Sequence, residues 1–550
     1  MHLYAMFNAY PDSVGENLEE TAAFLSCDEM KGTFRSFYIL PTVFNTDLDG
    51  GFSVISYDLC GSKAREEDLR ALKKSGIDLS FDFILNHLSA LSPQFRDILK
   101  NGDASPYRHF FIDWNRFWEG RGEMTAEGYI LPDRDQFDYG NLRKKAMPLL
   151  CVPLPDGKKT AYWNTFYQQV VYPRLTLFDV MDAVSGQYDR AVKLAESVNR
   201  ALDGGKTPAE FSWNGFEDAK EAVTALLENG KRFMGQMDVN VDEPAVWEWY
   251  GGVMDQLASY GAAMIRLDAF ARLHKAPQRK NFINEPETWE ILTRLREMAA
   301  QRGLEVLPEI HAAYSKGYYR QLARLGCMTY DYFLPALLLD AIDTRDTAYL
   351  HMWAQEIIRD GLRVVNMLGC HDGIPMRDVR GLLPDKRVDA LIGRLVKRGG
   401  HKKIIHGATE EIYQMNIAYY SALECDDHKL LLARAVQLFM PGKPQVWYMD
   451  LLAGASDEEM LRRDPGTDTR EVNRRRYSLD EARERLRLPV VREQLRLLKL
   501  RNTHPAFAEG AKVTALRPAD DRLTLRWERE GAWACLEADF TACAYQITHN

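Results

Sequence analysis

Eight short stretches rich in apolar residues, with helical patterns between most of them, constrain this chain more than any other feature. They fall at residues 3–7, 34–43, 77–85, 263–270, 304–311, 328–334, 364–368 and 445–448. The stretches at 18–25, 66–74, 246–260 and 288–300 between them read as helices. Strands that alternate with helices predict a parallel sheet, and eight of them predict a closed (β/α)8 TIM barrel, an α/β fold. The rhythm breaks between 89 and 235, where Pro, Gly, Trp and charged residues dominate. The expected organisation is therefore a catalytic barrel over 1–88 and 236–490 with an inserted subdomain over 89–235. A polar region over 375–425 is expected as a long loop over the active site. Residues 491–550, with strand-like runs at 513–515, 523–527 and 533–537, are expected to form a small C-terminal β domain.

The stretch from Ala263 to Phe270, AMIRLDAF, shows what such strands deliver. Met264, Arg266 and Asp268 share one face of a strand and Ile265 and Leu267 the other. A guanidinium two residues before a buried carboxylate holds that carboxylate ionised, and an ionised carboxylate at a strand end is a usable nucleophile. An ordinary buried Arg–Asp pair fits the same eight residues. Glu309 and Asp372, however, also stand at expected strand ends, with His371 alongside. Reactive groups of a parallel barrel converge from strand C-termini onto one face. Any one of these acids could cap a helix or pair with a loop cation, but three together favour chemistry. Two carboxylates suffice for retaining glycosyl transfer, one as nucleophile and one as acid and then base.

Four segments then point to a family. Asp82-Phe-Ile-Leu-Asn86-His87, Arg266-Leu-Asp268, Leu307-Pro-Glu309-Ile-His311 and His371-Asp372-Gly373 resemble, in order, the signature regions of glycoside hydrolase family thirteen, the α-amylase superfamily. Tyr10-Pro-Asp-Ser13, Asp49-Gly-Gly-Phe52, the run from Gln414 to Leu423, the run from Met440 to Tyr448 and Val472-Asn-Arg474 are similar to its sucrose phosphorylase branch. The resemblance implies Asp268 as nucleophile, Glu309 as acid and base, and Asp372 as stabiliser. It implies sugar contacts from His87 and His371, far-side anchors at Asp49 and Arg474, an aromatic platform at Phe52 beside the oxocarbenium ion, polar loop positions at Gln236 and Gln414, and Arg266 supporting the nucleophile. It also implies a small-molecule α-glucoside as substrate and inorganic phosphate as co-substrate, with no cofactor and no metal.

Sucrose is the expected substrate, with sucrose 6'-phosphate, glucosylglycerol and glucosylglycerate as alternatives and hydrolysis as a further one. Arg272 stands near where sucrose enzymes often carry Tyr and favours an anionic acceptor, whereas Glu410 and Glu411 disfavour one. The phosphate-holding candidates are the clusters 143–145, 401–403 and 474–476. A non-catalytic barrel that serves as a binding subunit is disfavoured because all three acids are present.

The remaining totals exclude other classes. A net charge of -9 offers no basic excess for nucleic acid. Eight cysteines include no C-x-x-C pair, no apolar run reaches membrane-spanning length, and the N-terminus lacks a signal-peptide pattern. A cytoplasmic monomer or homodimer is expected. The loop from Asn45 to Phe52 partly imitates a calcium loop, but Ser56 stands where its closing glutamate belongs.

Overall fold

The computed structural model describes residues 3–137, 147–406, 410–463 and 466–550. Eight strands make one sheet: β1 (Met6–Ala9), β2 (Ser36–Ile39), β3 (Asp78–Ile84), β4 (Ala262–Asp268), β5 (Glu305–Pro308), β6 (Thr329–Asp331), β7 (Val364–Met367) and β8 (Lys443–Trp447). Their order is β5-β4-β3-β2-β1-β8-β7-β6, and every paired neighbour is parallel. β5 and β6, the ends of that order, lie against each other, so the sheet is nearly closed. Strands covered on both faces bury every residue, so β1, β2, β7 and β8 bury the polar Asn8, Ser36, Asn366, Lys443 and Gln445 along with their apolar residues.

Two of the expected boundaries shift for local reasons. The sixth strand stops at Asp331, whose carboxylate accepts from the Phe333 and Leu334 N–H groups at 3.2 and 3.0 Å and so starts helix Leu334–Thr344. A division at 491 falls inside helix Pro489–Thr503, and the terminal antiparallel sheet runs from Lys512–Leu516 through Arg522–Arg529 and Ala532–Asp539 to a further strand, Ala544–His549.

The region 375–425, expected as a loop, carries helix Asp385–Lys397 and the hairpin His401–His406 with Glu410–Asn416. Val388, Leu391, Ile392 and Leu395 form the buried stripe of that helix. Arg387 and Arg394 tie it to Asp340 and Asp343 of helix Leu334–Thr344. Its high charge hides an ordinary amphipathic period.

The insertion leaves the barrel through His87–Ser89 and returns through Arg232–Asp238, and these two strands pair antiparallel with Gln236 opposite Ser89 and Asp238 opposite His87. The segment that begins at Gln236 is therefore the return strand of the insertion and not part of the barrel sheet. The insertion holds two cores of its own, one around Trp114, Trp118 and Trp163. The other lies under helices Tyr188–Asp203 and Lys220–Gly230, where Val223 and Leu227 are buried while Ala222 and Leu226 face solvent. Among the described residues, no helix is long and apolar enough to cross a membrane.

Candidate active site

Strand register brings the acids together. β4 pairs with β5 so that Leu267 faces Pro308, which leaves Asp268 and Glu309 as adjacent next residues at the barrel mouth. The Glu309 N–H donates to the Leu267 carbonyl at 3.0 Å. Ala269 then turns into the left-handed region (φ 51°), and its N–H donates to Glu309 Oε2 at 2.7 Å. On the other side of β4, Arg266 faces Asp82 of β3.

One guanidinium thus serves three carboxylates. Arg266 meets Asp82 at 2.6 Å, Asp268 at 2.8 Å and Glu309 at 3.0 Å, and all four residues have little or no side-chain exposure. Burial raises Asp82 to about 6 against the pull of Arg266 and of the Tyr38 hydroxyl, which donates to it at 2.8 Å. The sequence reading has Arg266 hold Asp268 ionised, but its charge is divided. Burial, together with the Glu309 charge, pushes Asp268 well above the ordinary carboxylate range. Burial opposes the Glu309 anion as well, yet Arg266, His311 and the Ala269 N–H overcome it and hold Glu309 low. The two acids titrate as one unit, with Asp268 displaced upward and Glu309 downward.

The histidines take opposite states. Burial penalises charge on His311, but Asp378 at 3.2 Å and Glu309 at 3.4 Å raise it to about 10, and its ring stacks on Tyr332. His311 is therefore cationic at neutral pH. Burial pushes His371 down to about 3, so it is neutral, and it stacks on Phe52 with centroids 4.9 Å apart. Burial also opposes the Asp372 anion, while His371, Arg470 and Arg474 hold it below the ordinary range. With His371 neutral, the two arginines carry that effect.

A cavity of about 320 Å³ joins these groups, within the scale of small-ligand clefts. Asp49, Phe52, His87, Asp268, Glu309, His371, Asp372 and Gln414 line it, as the sequence reading requires. Gln236 lies behind the wall and donates to Asp49 at 3.2 Å and to the Phe52 carbonyl at 3.0 Å. Arg266 also acts from behind.

Arg474, expected as a sugar anchor, is turned away from the cavity. Its Nε donates to the His371 carbonyl at 2.8 Å and its Nη1 pairs with Glu471 at 2.8 Å. Arg470 takes the cavity position instead, meeting Asp49 at 2.5 Å, Asp468 at 3.0 Å and Asp372 at 3.3 Å. The turn that holds it explains the exchange. Asp468 caps the short helix Thr469–Asn473 by accepting from the Arg470 N–H at 2.9 Å, and its other carboxylate oxygen takes the Arg470 guanidinium.

The expected phosphate clusters divide in the same way. Lys403 lines the cavity, whereas His401 pairs with Glu458, Arg475 with Glu481 and Arg476 with Asp12. The cluster 143–145 lies outside the described residues. Arg272 and Arg377 also line the cavity, and the second of these was not singled out from sequence. Possible metal donors do meet here, as Glu309, His311 and Asp372 and as Cys370, His371 and Asp372. Their charges, however, are already matched by Arg266, Arg470 and Asp378.

Three acids, a shared guanidinium and a sugar-sized cavity at the C-terminal mouth of a (β/α)8 barrel define an α-amylase-type glycoside-transforming enzyme. No protein-family model matches the chain. It is 42% identical over 555 residues to the sucrose 6(F)-phosphate phosphorylase of Ilumatobacter coccineus, covering 99% of this chain and 95% of that one. It is 27% identical over 552 residues to the sucrose phosphorylase of Streptococcus mutans, covering 99% and 97%. The crystal structure of sucrose 6F-phosphate phosphorylase from Thermoanaerobacter thermosaccharolyticum matches at a TM-score of 0.81 with 26% identity, covering 100% and 96%. The chain belongs to the sucrose phosphorylase branch of glycoside hydrolase family thirteen, and it is a glycosyltransferase of the glycoside phosphorylase kind.

Proposed function

We propose that the enzyme is a sucrose 6F-phosphate phosphorylase, converting that sugar phosphate and inorganic phosphate into α-glucose 1-phosphate and fructose 6-phosphate without a cofactor. The expectation of unphosphorylated sucrose gives way because the more similar relative acts on the phosphorylated sugar, at 42% identity against 27%. The observation that carries the reading is the cationic acceptor side, where Arg272, Arg377 and Lys403 line the cavity. Of the two acids that argued against it, Glu411 lies 3.4 Å from Arg377, and the side chain of Glu410 falls outside the described residues.

In this reading Asp268 attacks the anomeric carbon while Glu309 protonates the departing fructosyl oxygen. Glu309 then takes the proton of the incoming phosphate as the glucosyl ester is cleaved, which retains configuration. The first step needs Asp268 ionised and a proton on Glu309. Asp49, Asp372 and Arg470 grip the glucose hydroxyls.

The test is phosphate release from α-glucose 1-phosphate with fructose, fructose 6-phosphate, glycerol and glycerate in parallel. Fructose 6-phosphate is expected to be fastest, and Arg272→Ala and Arg377→Ala to raise its KM while leaving that of fructose unchanged. Preference for fructose, unaltered by either substitution, would overturn the proposal. Glucose formation from sucrose in phosphate-free buffer, with no acceptor used, would mark a hydrolase.

A further inference from the structure

We propose that Lys275 is a positioning residue that locks the two walls of the acceptor side together by pairing with Asp238. One wall, Phe166 and Tyr167, belongs to the insertion, and the other, Arg272 and Phe282, belongs to the segment after β4. The inference rests on the phosphorylase reading for its meaning but on geometry for its substance.

Lys275 and Asp238 are both buried and lie 2.7 Å apart. Each is the centre of a small net. Lys275 Nζ also donates to Asn86 Oδ1 at 3.1 Å and to the Arg272 carbonyl at 2.8 Å, so it fixes the backbone that presents Arg272. Asp238 accepts from the Thr165 N–H at 2.8 Å and the Thr165 hydroxyl at 2.6 Å, so it fixes the residue before Phe166. Asn86 closes the net by donating to Asp238 at 3.2 Å. A buried ammonium and a buried carboxylate are each costly alone, and together they have one low-energy geometry. That geometry sets the distance between Arg272 and Phe166. The donor side touches the net at Asn86, which lies 3.3 Å from His87 Nδ1, but has a further anchor in the Phe52 carbonyl, 2.8 Å from His87 Nε2.

Lys275 faces the cavity with no atom, so its effect is on placement. Misplacing a binding wall by about 1 Å costs on the order of 10–100-fold in function. Lys275→Met is expected to raise the KM for the acceptor, fructose 6-phosphate, about tenfold while the KM for α-glucose 1-phosphate stays within about twofold. Because Lys275→Met leaves Asp238 buried and unpaired, the double variant Lys275→Met with Asp238→Asn, which removes both charges, is measured beside it and is expected to show the same split.

Hydrogen exchange on both variants reads the walls without any acceptor. Residues 165–167 and 270–283 are expected to exchange faster together. Unchanged acceptor KM with only a lowered Tm, or faster exchange confined to one wall, would overturn the proposal. If the wild type used none of the acceptors, the phosphorylase reading would fall, while the exchange result would still decide whether the latch exists.

Discussion

Replacing Arg470 with Met separates what the structure assigns from what family resemblance implies. Besides Asp468, Arg470 meets the two carboxylates proposed to hold the glucose, Asp49 at 2.5 Å and Asp372 at 3.3 Å. Hydrogen bonds to charged groups are worth about 1.5–3 kcal/mol each, so losing both costs about 3–6 kcal/mol. The lower end applies, because Asp49 keeps Gln236 at 3.2 Å and Asp372 keeps His371 at 3.4 Å. About 3 kcal/mol corresponds to roughly a hundredfold loss in kcat/KM for the donor glucoside. The pH profile should move as well. Burial opposes ionisation of Asp49 and Asp372, and Arg470 is among the groups that hold both below the ordinary range. What a depressed carboxylate contributes is present above its unfolded value and lost as pH falls through its folded value. Without Arg470 the folded values rise, so the acidic limb of kcat/KM shifts to higher pH. The assay is kcat/KM for α-glucose 1-phosphate from pH 4 to 8 in wild type, Arg470→Met and Arg474→Met. Arg474, which holds the His371 carbonyl and Glu471, is expected to give a lower Tm and a smaller kinetic loss. An unmoved acidic limb in Arg470→Met, together with an equal or larger loss in Arg474→Met, would refute the assignment.

Three further outcomes follow from the same geometry. Asp268→Asn should reduce turnover more than about 10⁴-fold while the protein stays folded, since Arg266 keeps Asp82 and Glu309 as partners, and intact mass should show no glucosyl ester. Glu309→Gln should slow transfer from the natural donor about 10²–10⁴-fold but cost far less with α-glucosyl fluoride, whose leaving group needs no proton; equal losses on both would remove Glu309 from the acid role. Gly50→Ala places a Cβ 2.6 Å from Arg474 Nη1 and 3.0 Å from the Tyr10 hydroxyl at a φ of +61°. It should destabilise by about 1–2 kcal/mol, read from the urea midpoint.

The barrel and its acids were legible because both depend on period and register, which a sequence carries. Asp268 and Glu309 close apolar runs whose lengths suit buried strands, and the register of those strands fixes where they and Arg266 stand. What was not legible depended on choices between like residues. The run from Arg470 to Arg476 offers four arginines, and nothing in their order says which one enters the cavity. The answer comes from Asp468, which caps a short turn and pairs with the guanidinium two residues on.

The helix Asp385–Lys397 was missed for the opposite reason, since its apolar stripe is regular but its arginines Arg387 and Arg394 are matched by Asp340 and Asp343, far away in sequence. Glu411 depends on distant partners in the same way. Taken alone it repels an anionic acceptor, but it lies 3.4 Å from Arg377, a cation of the cavity lining that no local pattern pairs with it. In the proposed reading, acceptor choice is therefore set by pairings across separate loops, whereas the glycosyl chemistry is set within strands. A substitution that changes one loop charge should alter which acceptor is used before it alters the rate at which the glucosyl ester forms.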